Sequence, residues 1–186
     1  MKRRTLLKYL AVAQLGALAG RAAAAPPRTM KGIEDLQQSW KTLLAAGTEI
    51  PGTTPKLELS KDEWRKRLSP QSYSVLREEG TERAGSSPLD REKRPGVFVC
   101  AGCGLPLFTS AMKFDSGTGW PSFFTTIPGV FETKKDHFLF YPRTEYHCAR
   151  CGGHHGHLFE DGPPPTNHRY CNNGVALKFI PQSGSA

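Results

Sequence analysis

Reactive side chains crowd one stretch of this sequence. Cys148-Ala149-Arg150-Cys151 is followed by His154, His155 and His157, with Gly152, Gly153 and Gly156 among them. Phe159-Glu160-Asp161-Gly162-Pro163-Pro164-Pro165 and Arg169-Tyr170-Cys171-Asn172-Asn173 come next. Four of the six histidines, counting His168, and three of the five cysteines fall within 24 residues. Thiols and imidazoles at this density can bind a metal ion or pair a nucleophile with an acid. The stretch reads as an active site joined to half of a metal site.

Cys100 and Cys103 form one C-x-x-C and Cys148 and Cys151 a second, with 44 residues between the pairs. Two such pairs supply a tetrahedral four-cysteine zinc site, because two intervening residues allow a tight knuckle that aims both thiolates at one ion about 2.3 Å away. The interval is longer than in a zinc ribbon, so the ion would clasp distant segments. Gly102 and Gly104 flank Cys103, and Gly152 and Gly153 follow Cys151, giving the knuckles backbone freedom. Two disulfides are the alternative, and export would permit them. Either way Cys171 is left over. Within a polar run it reads as a reactive thiol rather than an inert core residue. The Arg169 guanidinium two residues away, with imidazoles folded nearby, would favour the thiolate, which is the nucleophile.

The 186-residue chain is long enough for one domain with a substantial core. Residues 1–25 read as an export signal. Lys2-Arg3-Arg4-Thr5-Leu6-Leu7-Lys8 is a basic head, an apolar segment runs from Tyr9 to Ala19, and Ala22 to Ala25 offers an A-x-A-like cleavage site. The apolar segment is too short to span a membrane, so no membrane span is expected after cleavage. The paired arginines resemble the twin-arginine signal, whose pathway carries folded proteins, and imply a periplasmic destination. Losing Lys2, Arg3, Arg4, Lys8 and Arg21 would lower the formal net charge from +8 to about +3. The basicity is then a targeting feature and makes no case for a nucleic-acid partner. Folding in the reducing cytoplasm would also let the four-cysteine site fill with zinc before export.

Other elements must hold the reactive stretch in place. Residues 26–59 read as a linker and an N-terminal helix. Ile33, Leu36, Trp40, Leu43 and Leu44 recur at helical spacing until Gly47. Thr48 to Lys56, with Pro51-Gly52 and Pro55, reads as a loop. The main domain is expected over residues 60–182. Ser60-Lys61-Asp62-Glu63 fits the capping box of a helix carrying Trp64 and Leu68. Ser69-Pro70 starts another that stops before Gly80, with Tyr73 and Leu76 turned inward. Beyond Gly80, short runs at Val97–Val99, Val130–Glu132, His137–Tyr141, Glu145–His147, Leu158–Phe159 and Val175–Ile180 predict antiparallel strands. No phosphate loop, nucleotide fingerprint or repeat occurs. The expected whole is a compact β domain with an N-terminal helical wrap.

With these pieces placed, the chain resembles the B-type methionine sulfoxide reductases, the class that reduces the R epimer of methionine sulfoxide. The resemblance runs from about Trp64 to Pro181. It rests on Gly80-Thr81-Glu82, Cys100-Ala101-Gly102-Cys103, and Lys113-Phe114-Asp115-Ser116-Gly117-Thr118-Gly119-Trp120-Pro121-Ser122-Phe123. It continues through Arg143-Thr144-Glu145, the Cys148/Cys151 pair, His154-x-Gly156-His157, Phe159-Glu160-Asp161-Gly162-Pro163 and Arg169-Tyr170-Cys171-x-Asn173. It implies a mainly β fold of two antiparallel sheets, tent-like, with short N-terminal helices. It implies one structural zinc on Cys100, Cys103, Cys148 and Cys151, and Cys171 as nucleophile. Trp120 would line the pocket for the S-methyl group, with Phe159 beside it in the substrate-binding set. His154, His157, Arg169 and Asn173 would form the polar shell around the sulfoxide oxygen and the thiolate.

Chemistry asks for these roles. A sulfoxide sulfur is electrophilic only while its oxygen is being protonated, so a thiolate and an acid act together, and histidine titrates near neutrality. His157 is the expected proton donor, with His154 assisting or orienting. Arg169 would stabilise the thiolate, and Asn173 would donate a hydrogen bond to the polar end of the substrate. A flat apolar wall at Trp120 opposite a polar shell can select one epimer. The products are methionine and a sulfenic acid on Cys171. Some family members resolve that acid with a cysteine between the glycines of Gly-x-Gly-Trp-Pro, where this chain has Thr118. A thioredoxin-like protein or a small thiol is therefore the expected reductant, oxidised proteins the expected substrates, and a monomer the expected state. Two other readings stay open at this point. One is a zinc-clasped module that binds oxidised methionine without turnover. The other is a zinc hydrolase, which needs an ion with an open coordination position near the histidines.

Overall fold

The computed structural model describes residues 29–136 and 143–182. The export signal and the strand expected over His137–Tyr141 lie outside the described residues. Three short helices lead the chain. In α1 (Met30–Gln38) the Thr29 hydroxyl caps the N-terminus, accepting the Gly32 N–H at 3.1 Å. The spacing that predicts a helix to Leu44 is met only in part, since Ser39–Leu43 tightens into a 3-10 helix. There the Ser39 and Thr42 hydroxyls donate to the Leu36 and Ser39 carbonyls, bonds that compete with the α ladder. α2 (Lys61–Arg67) has the expected capping box between Ser60 and Glu63. Its Trp64 is buried beneath the Arg77 guanidinium, 4.8 Å from the ring centre. α3 (Pro70–Glu78) buries Tyr73, Val75 and Leu76, and its left-handed cap falls on Glu79 (φ 56°), one residue before Gly80.

Nine strands among the described residues form two antiparallel sheets. The smaller runs β2 (Pro106–Thr109), β1 (Gly96–Cys100), β9 (Leu177–Pro181). The larger runs β3 (Lys113–Phe114), β4 (Ser122–Phe123), β8 (Arg169–Asn172), β7 (His154–Phe159), β6 (Arg143–Cys148), β5 (Phe131–Asp136). The short runs mark β1, β5, β6, β7 and β9. They miss β2, an edge strand opening on proline, the two-residue β3 and β4, and the polar β8. Aromatic rings join the sheets: Phe108 of β2 stacks on Phe123 of β4 at 3.9 Å, and Phe98 of β1 meets Phe123 edge-on at 5.1 Å. With one face sealed against this core, the large sheet is free to carry polar side chains on the other.

Candidate active site

Alternation along the strands builds the polar face. In β6, Tyr146 is wholly buried, so its neighbours Glu145 and His147 turn the opposite way. Register then places His157 opposite Glu145, Cys171 opposite His157, and Arg169 opposite Phe159. Opposed residues share a face, with Cβ atoms about 5 Å apart, so Glu145, His157 and Cys171 form a row across β6, β7 and β8. A regular β7 would put His154, three residues from His157, on the far side. A bulge prevents this: the register shifts between Tyr146 and His147, so His154 pairs with His147 and His155 is the extra residue. His154 thereby joins His157 on the polar face, ring centres 5.5 Å apart, while His155 packs inward against Phe131 at 5.5 Å. Gly156 allows the close pairing with β8. Its φ is 154°, and a Cβ there would stand 2.0 Å from the Cys171 carbonyl oxygen.

A small open pocket of about 130 Å³ lies over this face, lined among others by Trp120, Arg143, His157, Phe159, Cys171 and Asn173. Five of the residues expected at the site thus come together, while His154 and Arg169 lie beneath, 1% and 8% exposed. A residue the sequence reading gave no role, Glu82, braces the rim. Its carbonyl accepts the Trp120 indole N–H at 3.1 Å, and its N–H donates to Asn173 Oδ1 at 2.9 Å. The Glu82 carboxylate accepts the Gly174 and Val175 N–H groups at 2.7 and 2.9 Å. Asn173 also donates from Nδ2 to the His155 carbonyl at 3.0 Å. Its amide is therefore built into the frame, leaving one N–H for anything in the pocket.

Burial pushes the Cys171 thiol up, and the Arg169 charge with the Thr118 and Arg169 hydrogen bonds only moderates this. Arg169 thus favours the thiolate, as expected from its place in the sequence, but burial is the larger influence on the resting sulfur. Arg169 Nε meets Asp161 Oδ1 at 2.7 Å and Nη2 meets Oδ2 at 2.9 Å, a bidentate pair that orients the guanidinium. The guanidinium also lies over the Phe159 ring at 4.2 Å. Thr118 is held by Ser116 at 2.8 Å, itself 2.8 Å from the Ser122 hydroxyl. Burial first, then the charges of His147 and His157, drives His154 down to about 4, so its imidazole is neutral at neutral pH. Glu145, its side chain 8% exposed, stands 3.6 Å from His157 Nε2 and 3.2 Å from His147 Nε2. Glu82, Asp161 and Glu145 all sit inside the motifs that carry the resemblance, but only strand register shows what they touch.

The two knuckles meet where β1 and β6 end. Cys100 and Cys151 sulfurs are 3.7 Å apart and those of Cys103 and Cys148 3.5 Å; all four are buried and none is in a disulfide. Four sulfurs each about 2.3 Å from a central ion stand about 3.8 Å apart, so the group fits a tetrahedral metal. A disulfide would need about 2.05 Å, and that alternative falls away. Hydrogen bonding with Cys100 lowers Cys103 and Cys151, while Cys100 itself is raised. Only a cation would let all four be thiolates together.

Comparison with known proteins bears on the same residues. A model of the SelR domain matches residues 68–181. Peptide methionine sulfoxide reductase MsrB of Agrobacterium fabrum is 48% identical over 130 residues, which is 69% of this chain and 96% of that protein. The protein of that name from Methanosarcina barkeri is 52% identical over 124 residues, 66% of this chain and 87% of its own length. Peptide methionine sulfoxide reductase B1, chloroplastic, of Arabidopsis thaliana is 40% identical over 177 residues, 95% of this chain and 88% of its own. On this match and these relatives, the chain belongs to the SelR family of B-type methionine sulfoxide reductases.

Proposed function

We propose that the chain reduces the R epimer of methionine sulfoxide, mainly within proteins, at Cys171. The carrying observation is the pairing of Cys171 with His157 on adjacent strands below an open pocket walled by Trp120. The substrate methyl rests on Trp120 and its oxygen turns to His157. As Cys171 sulfur attacks the sulfoxide sulfur, His157 protonates the oxygen, and the Cys171 proton replenishes the imidazole. Oxygen leaves with the cysteine as a sulfenic acid, and methionine departs. Glu145 steadies the protonated His157, and Arg169, oriented by Asp161, faces the developing thiolate. Two external thiols then give a disulfide and water and restore Cys171, since Thr118 stands where a resolving cysteine would. Cys100, Cys103, Cys148 and Cys151 would hold zinc, which supplies the charge that four clustered thiolates need and ties the knuckles together. Residues 1–25 direct this chemistry to the periplasm by the twin-arginine route. An Arg3→Lys/Arg4→Lys chain that still reached the periplasm would remove that part.

The activity is tested with both epimers of an oxidised methionine peptide and excess thiol. Consumption of the R form alone, abolished by Cys171→Ser, is expected. Equal use of the two epimers, or turnover surviving Cys171→Ser, refutes the assignment.

A further inference from the structure

The row containing Cys171 and His157 continues onto β6 to Glu145, which two further imidazoles, His147 and His154, approach. Glu145, His147 and His154 each offer one ligand atom, and these atoms all lie within 4.8 Å of one another. His154 is 1% exposed, and neither of its ring nitrogens makes a hydrogen bond among the described residues. An imidazole buried in that state is a poor use of a core position unless something else binds it. His147 points the same way. Its Nε2 lies 3.2 Å from the Glu145 carboxylate and its Nδ1 3.4 Å from the Gly152 carbonyl. A cation can take the place of a proton between that nitrogen and the carboxylate, and a carbonyl behind a ligating histidine is the partner that would then hold the ring.

We propose that Glu145, His147 and His154 form a second divalent-cation site, built from nitrogen and oxygen and separate from the four cysteines, which takes borderline ions such as Zn2+. Two imidazoles and a carboxylate are the donors such ions favour. Ligand atoms around zinc at about 2.1 Å stand about 3.4 Å apart, so the 3.2 Å edge already fits and His154 must close in. Lys134, 4.0 Å from Glu145, occupies the approach, but its side chain is 61% exposed and can swing away. Glu145 also stands 3.6 Å from His157, so an ion here withdraws the carboxylate from the proposed acid. The bound ion thereby switches off turnover, a consequence that rests on the function proposed above.

Zinc binding is counted by equilibrium dialysis on the full chain with its cysteine site already filled. Two ions per chain are expected for the natural sequence and for Cys171→Ser, and one for His147→Gln, whose retained first ion reports an intact fold. A single ion in the natural chain, or two in His147→Gln, overturns the site. Loss of the second ion in Cys171→Ser also overturns it, by placing zinc on the nucleophile. Single-turnover reduction by pre-reduced, thiol-free chains reads the switch. The second equivalent should slow the natural chain about a hundredfold, the loss typical when a general acid is disabled, and leave His147→Gln near its metal-free rate. An unaffected rate with the second ion bound removes the switch and keeps the site. A natural chain that yields no methionine without the second ion contradicts the function instead, and the dialysis counts still decide the site.

Discussion

At the scale of single residues, the question is how the half-buried Cys171 sulfur would become the proposed nucleophile. Two opposed influences act on Cys171: burial holds the proton on, and Arg169 and Thr118 pull it off. Burial is the larger of the two and raises the thiol, while Asp161 fixes the orientation of Arg169. Replacing Arg169 removes the main counterweight. Arg169→Gln should raise the Cys171 pKa further, slow its alkylation by iodoacetamide at neutral pH, and shift the alkylation profile to higher pH. An unchanged profile would mean that the guanidinium does not act on the sulfur at all. Asn173 belongs to this scale too. With Oδ1 and one Nδ2 hydrogen engaged by Glu82 and His155, it keeps one N–H for the substrate contact expected of it.

At the scale of elements, the decisive feature is the bulge in β7. It brings His154 round to His157 and sends His155 inward, and it works because Gly156 lets β7 approach β8 closely. Gly156→Ala would drive a methyl onto the Cys171 carbonyl. We expect a loss of about 3 kcal/mol or more, seen as a lower urea midpoint, together with activity loss in whatever fraction stays folded. A midpoint equal to that of the natural chain would show that the strands can part without cost. The bulge also marks where the sequence stops being legible. Capping at Ser60 and Ser69 is local chemistry and can be read directly, as can the paired C-x-x-C knuckles. Parity in β7 cannot, because a strict alternation through His154, His155 and His157 sorts them wrongly. The polar β8 is equally opaque: Arg169 and Cys171 face the site while Tyr170 and the buried Asn172 turn inward, too short and too polar a pattern to stand out. Glu82 acts through tertiary contacts more than 80 residues away in sequence, which no local pattern reveals.

Across the whole molecule, the inward histidine imposes a pH dependence. His155 is fully buried, and burial drives it down to about 3. The unfolded chain would protonate it near 6.5, so below that pH the unfolded state binds more protons. Its stabilising share is complete above pH 6.5 and drains away as pH falls toward 3, by about 1.4 kcal/mol per pH unit. Urea unfolding at pH 7, 6 and 5 should show a steeper decline in the natural chain than in His155→Leu, and parallel declines would dismiss the imidazole as the cause.

A metal on the four cysteines would have a large hold on the whole, because two kinds of contact tie the sheets together among the described residues. One is the shared apolar core, with the rings of Phe98, Phe108 and Phe123 at its centre; the other is the sulfur cluster joining the end of β1 to the β6–β7 turn. Without a cation the second contact becomes four buried thiols that cannot ionise together, a liability rather than a joint. Structural zinc sites return about 10–16 kcal/mol of apparent binding energy, comparable with the ~5–15 kcal/mol total of a typical domain. Stripping the ion with a strong chelator, or removing a ligand with Cys100→Ser, should therefore abolish the cooperative melting transition and the near-ultraviolet signal of the packed aromatics. Methionine sulfoxide reduction should be lost with them, even though every residue of the pocket is still present. A chelated chain that melts at its original temperature would show that the shared core binds the sheets without the ion.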